Sequence, residues 1–306
     1  MKSFFWTINQ SNTVMKRLLS LTTILLFTIS ISDIKAQEAI TISDTLSGWD
    51  QTWKVNLNGS QAAYSNWSRG GTNNISGTGA TTFTTVYREG QFAYGFLINA
   101  RYGKSKIQNE GVRKTSDRLA IRNRFLYDFE RETSDLALFA NINFNTQFDQ
   151  GFNYGAGPDG EDILISNFMA PGYFSQNAGL AYVPNDYFSA EVGLGLKQTI
   201  VRNTDLSERY GLPAGDNFRS EAGFTLGFNF SKDIFENVGF SSTLETFTNL
   251  NKAVSSTDVY LSSQLLGRIN SFMNASLQFD LIYDDDFSKE VQLSQILSLG
   301  VSFTLF

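Results

Sequence analysis

The 306-residue sequence predicts an all-β protein, a transmembrane antiparallel up-and-down β-barrel of about twelve strands. Three observations carry this. Segment after segment alternates apolar and polar residues with a period of two, the pattern of a strand with two unlike faces. The connections alternate between short turns and longer polar loops, the asymmetry of outer-membrane barrels. After residue 36 there is no helical period and no apolar run as long as the ~20 residues of a membrane helix, so a membrane form has to be a barrel.

The chain opens on a targeting segment. Met15-Lys16-Arg17 gives a basic start, and Leu18 to Ile31 is an apolar-rich run that suits a signal-peptide core. Ala36 precedes a cut expected at Gln37, with Ile34 standing where a small residue is preferred, and Met15 reads as an alternative start. Residues 1–36 are thus assigned to a signal peptide, 37–50 to a short periplasmic segment and 51–306 to the barrel.

The strands follow in order. Residues 52–63 carry Trp53, Val55 and Leu57 on one side, and 74–88 are Gly- and Thr-rich with an ambiguous phase. "QFAYGFLINARYG" at 91–103 sets Phe92, Tyr94, Phe96, Ile98, Ala100 and Tyr102 against Ala93, Gly95, Leu97, Asn99, Arg101 and Gly103. Residues 118–129 set Leu119, Ile121 and Phe125 against Arg118, Arg122 and Arg124, and 136–145 oppose Leu136, Leu138 and Ile142 to Asn141, Asn143 and Asn145. Residues 175–183 are weaker. Alternation returns in 188–197 (Val192, Leu194 and Leu196 against Glu191, Gly193 and Lys197) and in 221–230 (Phe224, Leu226 and Phe228 against Glu221, Gly223 and Asn229). Weaker copies at 237–249 and 258–270 precede clear ones at 273–283 and in the final run to Leu305. Short turns are expected at 88–91, 131–135, 184–187, 232–237 and 269–272. Long loops are expected at 64–73, 105–116, 150–173, 200–217, 250–257 and 284–290.

A soluble β-sandwich also alternates, but its strands average ~5–6 residues. Here they run longer, the side opposite the oily face is rich in Gly, Ser, Asn and charges, and Tyr or Phe recurs near strand ends, as at a water–lipid boundary. Phe306 closes an amphipathic last strand and resembles the signal read by barrel-assembly machinery, although the apolar face ends one position earlier, at Leu305.

Composition excludes several classes of function. There are no cysteines and no histidines, which rules out disulfides, thiolate metal sites and a Ser-His-acid triad. Removing residues 1–36 takes four basic residues and one acid from totals of 24 and 30, leaving a net charge of −9, a poor match to nucleic acid. No paired-carboxylate motif is visible, and no enzyme activity, cofactor or metal is expected. Acidic groups at Asp159, Glu161 and Asp162, and at Asp284, Asp285, Asp286 and Glu290, lack the spacing of a calcium loop and read as solvated loops. "GTGATT" at 77–82 lacks the ending of a phosphate loop.

Two groups of residues are candidates for function. The first is a charge cluster on the inner wall: Arg101, Arg118, Arg122, Arg124 and Lys197 facing Glu191, Glu221, Glu245 and Asp280, with Asp128 and Arg268 near them. Charges of both signs can orient polar solutes, or can neutralise one another and stiffen the interior. The second is the first long loop, where Asn66, Trp67, Arg69, Gly70 and Gly71 could touch a ligand or simply shape the rim.

The stretch "WKVNLNGSQAAYSNWSRGGTNNISG", residues 53–77, resembles the opening of an uncharacterised outer-membrane β-barrel family typical of Bacteroidota, known only as a domain of unknown function. The resemblance would cover about residues 46–306. It implies a monomeric outer-membrane barrel and brings no substrate and no catalytic residues. The expected function is a narrow or gated channel for small polar solutes in the cell outer membrane. Its expected partners are lipid, lipopolysaccharide and, through the C-terminal strand, the assembly machinery. The alternatives are a closed structural or assembly barrel partnering an outer-membrane complex and, more remotely, a soluble secreted β-sandwich that binds a ligand.

Overall fold

The computed structural model describes residues 40–64, 72–130, 134–270, 272–286 and 288–305. The signal segment and the loop residues Asn66, Trp67, Arg69, Gly70 and Gly71 lie outside them. Twelve antiparallel strands close into one barrel. They are β1 (Gly48–Ala62), β2 (Asn74–Glu89), β3 (Phe92–Ile107), β4 (Gly111–Asp128), β5 (Leu136–Thr146), β8 (Gly172–Asn185), β9 (Phe188–Ile200), β10 (Phe218–Phe235), β11 (Val238–Asn249), β12 (Asp258–Arg268), β13 (Met273–Asp284) and β14 (Ser288–Thr304). A small hairpin of β6 (Gly151–Asn153) and β7 (Ile163–Ser166) stands in the connection from β5 to β8.

The predicted alternation places side chains as expected. Leu194 and Leu297 keep 60% and 66% of their surface exposed on the outside, while Ala93, Leu97 and Arg101 of β3 are buried inside. The outer face therefore presents large apolar side chains, and among the described residues no second protein layer covers them. Rings form a belt outside the short-turn end: Trp49 lies 4.8 Å from Tyr87, Tyr94 lies 5.0 Å from Phe125, and Phe230 lies 5.9 Å from Tyr187 and 6.0 Å from Phe240.

Two expected loops prove shorter. β3 and β4 extend past the predicted limits and turn at 108–110, and β13 runs on to Asp284 while β14 begins at Ser288, because strand pairing continues through the polar residues. The phase of 74–88, ambiguous in sequence, is set by pairing with β1 and β3, which buries Thr78, Ala80, Thr82, Val86 and Arg88. Pairing along the barrel is mostly long, as from Asn74↔Ile107 to Glu89↔Phe92. The closing seam is short: among the described residues β1 pairs with β14 from Lys54↔Thr304 to Leu57↔Val301, with Leu305 N–H donating to Trp53 O at 2.8 Å just below.

The interior is not uniform. Near the short-turn end an apolar cluster fills the lumen, with Val86, Ala93, Leu126, Ala137, Phe139 and Ala181 from the wall packed around Ile42, and Ile40 and Leu46 beside it. The segment ahead of β1 therefore enters the barrel. Gly95 is the wall residue that admits it, since a Cβ there would collide with the Ile40 side chain. At the long-loop end Val201, Leu206, Tyr210 and Leu212 pack on Ala170 and Leu164, so the β9–β10 connection and the β5–β8 connection form one cap.

Candidate functional site

Between the N-terminal plug and the cap lies a cavity of about 570 Å³. Ile40 lines it from the plug, and Pro171 and Tyr210 line it from the cap. Its walls come from the inward positions of β4, β5 and β8 to β13.

The plug is held by polar groups as well as by packing. Arg88 is 1% exposed and binds both Asp44, at 3.0 Å, and Asp128. The Asp44 backbone N–H donates to Asp186 Oδ1 at 2.9 Å, and the Ser43 hydroxyl donates to Asp186 Oδ2 at 2.9 Å. Three strands or turns far apart in sequence thus grip one short segment. The cap is fixed by the Tyr210 hydroxyl, which donates to Ile165 O at 2.7 Å. Burial pushes the Tyr210 phenol up to about 12.

The charge cluster occupies the middle of the lumen. Arg118, Arg122, Arg124, Lys197, Glu191, Glu245 and Asp280 all line the cavity. Arg124 pairs with Glu191, and Asn141 Nδ2 donates to Glu191 Oε2 at 3.2 Å. Arg122 lies 3.8 Å from Glu245. Since β4 and β11 stand five steps apart around the ring of twelve, that pair spans the lumen. Arg118 donates to Asn145 Oδ1 at 3.3 Å. Asp280 accepts from Ser262 and, at 3.2 and 3.1 Å, from Gln278.

The remaining predicted residues lie elsewhere. Arg101 is buried opposite Arg118 on the adjoining strand but is not part of the cavity lining. Glu221 sits toward the cap, where Asn249 donates to it at 2.7 Å and Arg219 pairs with it at 3.1 Å. Asp128 serves the plug through Arg88, and Arg268 pairs with Asp233 at 2.8 Å on the exposed short-turn rim.

Sequence reasoning passed over several residues of this site. Lys197 binds Asp258 at 2.6 Å and Asp284 at 3.1 Å, and the Tyr260 hydroxyl donates to Asp284 at 2.7 Å. Asp286 pairs with Arg219 at 2.9 Å and also with Lys252. Asp284 and Asp286, expected in a solvated loop, are instead partners of wall and rim cations, because β13 runs one alternation further than its apolar face shows. The inward phase of 273–283, continued by two residues, points to Asp284. Among the described residues no cluster of three or more acidic side chains could hold a metal ion.

Residues 60–152 match a family described as "Protein of unknown function (DUF3078)". No curated protein matches the chain. Among solved structures it is similar to the translocator domain of the autotransporter NalP from Neisseria meningitidis, at 13% identity and a TM-score of 0.38, over 95% of this chain and 97% of that one. It is also similar to the COG4313 outer membrane channel from Pseudomonas putida F1, at 10% identity and a TM-score of 0.40, over 89% and 99% of the two chains.

Proposed function

We propose that this chain is an outer-membrane β-barrel that admits small polar solutes to a charged lumen, and that its own N-terminal segment gates the lumen. The observation that carries this reading is the contrast between the two faces of one closed wall: apolar and exposed outside, charged and polar around a cavity inside. An exposed apolar surface of that extent is unfavourable in water and favourable in hydrocarbon. Closing the sheet pairs the backbone of neighbouring strands around the ring, which is what lets a β-structure sit in hydrocarbon. The signal segment read at residues 1–36 supplies the export route. Outer-leaflet lipid, lipopolysaccharide and the assembly machinery then follow as surroundings and folding partner, with a monomer as the working unit.

The plug makes the barrel a gated device rather than an open pore. Ile40, Ile42 and Leu46 occupy the short-turn mouth, so solute passage requires them to leave. A second reading, a closed barrel serving an outer-membrane complex, is favoured by the same packing of Ile42 and separates in the same assay. The exported chain, with its segment ahead of β1 intact, is purified from the membrane fraction and inserted into planar bilayers. Discrete conductance steps, with stepwise opening and closing, support the gated conduit. Silent bilayers together with impermeable liposomes at verified insertion support the closed barrel. Recovery in the soluble fraction without detergent overturns both.

A further inference from the structure

We propose that the cavity is a binding site for an uncharged polyhydroxylated solute, a saccharide of one or two rings. The inference deepens the conduit reading and rests on it.

The charges of the lining argue for a neutral ligand. Four cations (Arg118, Arg122, Arg124, Lys197) meet four carboxylates (Glu191, Glu245, Asp280, Asp284) in the same wall, so the lining has no net charge. Most of these groups already have ionic partners. An ionic solute would have to break pairs that the protein has made, at a cost of several kcal/mol for a desolvated pair. A neutral solute leaves them in place.

The neutral polar groups are only partly used: Asn141 and Asn145 each hold a bond, to Glu191 and from Arg118, and an amide has further donors and acceptors to offer. On the wall made by β5 and β8 the register sets Asn141 opposite Asn177, Asn143 opposite Ser175 and Asn145 opposite Tyr173. Among the described residues, Asn177 Oδ1 has no hydrogen-bond partner although it is shielded from solvent. An amide offers two donors and a two-lone-pair acceptor, and a hydroxyl offers one donor and two acceptors. A ladder of such groups matches the paired donors and acceptors of neighbouring sugar hydroxyls. Leaving an acceptor such as Asn177 Oδ1 unsatisfied in a sheltered site costs free energy that a hydroxyl reaching it would recover.

Space and apolar contact complete the fit. Next on β9 is Gly195, opposite Asn177, where a Cβ would come within 2.9 Å of Thr225. With no side chain there, the Thr225 methyl packs close to the strand, and Gly195 lines the cavity with backbone alone. Tyr173, Tyr260 and Phe247 line the same cavity and bring aromatic surface to it. The volume of about 570 Å³ falls in the ~300–1,000 Å³ range of small-molecule sites.

The test is equilibrium binding to the purified full chain in detergent, by calorimetry, of three probes that differ by one charge: glucose, glucuronate and glucosamine. Glucose is expected to bind, and each charged sugar to bind at least tenfold more weakly. Asn143→Leu with Asn177→Leu is expected to weaken glucose binding at least tenfold, and the single variant Asn143→Ala severalfold if the double variant does not fold. Tighter binding of either charged sugar overturns the proposal. So does the failure of all three sugars to bind a preparation that conducts in bilayers, and in that case the conduit reading stands. Glucose binding by a preparation that never conducts supports the site and overturns the conduit.

Discussion

The Arg88 guanidinium lies 3.0 Å from the Asp44 carboxylate, across the short-turn mouth of the barrel, and joins the plug to the inner wall through Asp128. Arg88 is almost fully buried while the Asp44 side chain keeps 45% of its surface in solvent. Solvent screens such a half-exposed pair, so Asp44 contributes about 1 kcal/mol to plug retention, or about a fivefold change in occupancy. Asp44→Asn is therefore expected to raise the open probability in single-channel recordings about fivefold. Arg88→Gln is expected to raise it further, because the amide of the Asp44→Asn variant can still accept a hydrogen bond from the Arg88 guanidinium, whereas Arg88→Gln removes the cation itself. An unchanged open probability in both variants would show that the Arg88 pair does not hold the segment, leaving retention to apolar packing and the Asp186 hydrogen bonds.

The apolar half of the same latch rests on Gly95. Its missing side chain is the seat of Ile40, and Ile42 is 6% exposed within the adjoining cluster. Gly95→Leu fills that seat from the wall. Overpacking of a filled site costs about 1–3 kcal/mol, and here the segment can relieve it by leaving. The expected outcome is at least tenfold faster protease nicking ahead of residue 48, with the barrel still resistant to unfolding in detergent without heat. Nicking at the rate of the unchanged protein would mean that the segment stays in place and the wall gives way.

The barrel was legible in the sequence because its two faces are chemically opposite at every second residue, as Leu194 and Leu196 against Gly195 and Lys197 show. The charged wall was legible for the same reason: inward phase alone finds Arg122, Arg124 and Glu191. The plug was not. Ile40, Ile42 and Leu46 belong to a short segment with no period of its own, and their partners Gly95 and Arg88 come from other strands, so no local pattern links them. Tyr210 was hidden similarly: it lies in a long connection, and its role comes from Ile165, 45 residues away. The ends of β3, β4, β13 and β14 were misplaced because polar strand residues outside the apolar band look like loop until their pairing is known.

The cap has a pH signature. Tyr210 donates to Ile165 O, and burial raises its pKa from 10.0 to about 12. The folded cap holds the proton where the undocked loop releases it. Its contribution is therefore fully present below pH 10 and is lost as the pH rises from about 10 through 12. Hydrogen exchange of residues 201–217 is expected to quicken over that interval, beyond the intrinsic rise in exchange rate. Tyr210→Phe removes the hydrogen bond, worth about 1 kcal/mol, and should abolish the transition while leaving the cap looser at all pH values. A Tyr210→Phe profile with the same transition would assign it to another group.

The closing seam gives the last prediction. β1 and β14 pair from Lys54↔Thr304 to Leu57↔Val301, and among the described residues no ladder pair follows toward the long-loop end, although both strands continue that way. Unpaired N–H and C=O groups on a strand edge are costly in hydrocarbon, so the upper seam is the weakest part of the wall. The chain has no cysteine, which makes introduced pairs unambiguous. Asn56 stands opposite Ser302, and residues opposed in an antiparallel pair have Cα atoms ~4.5–5.5 Å apart, within disulfide reach. Asn56→Cys with Ser302→Cys is expected to oxidise nearly completely in isolated membranes. Ser60→Cys with Ser298→Cys, which would face each other if the pairing ran on, is expected to oxidise at least tenfold more slowly, as read by the mobility shift of the circularised chain. Equal rates would mean that the strands are zipped along their whole length in the membrane and that the wall has no weak seam.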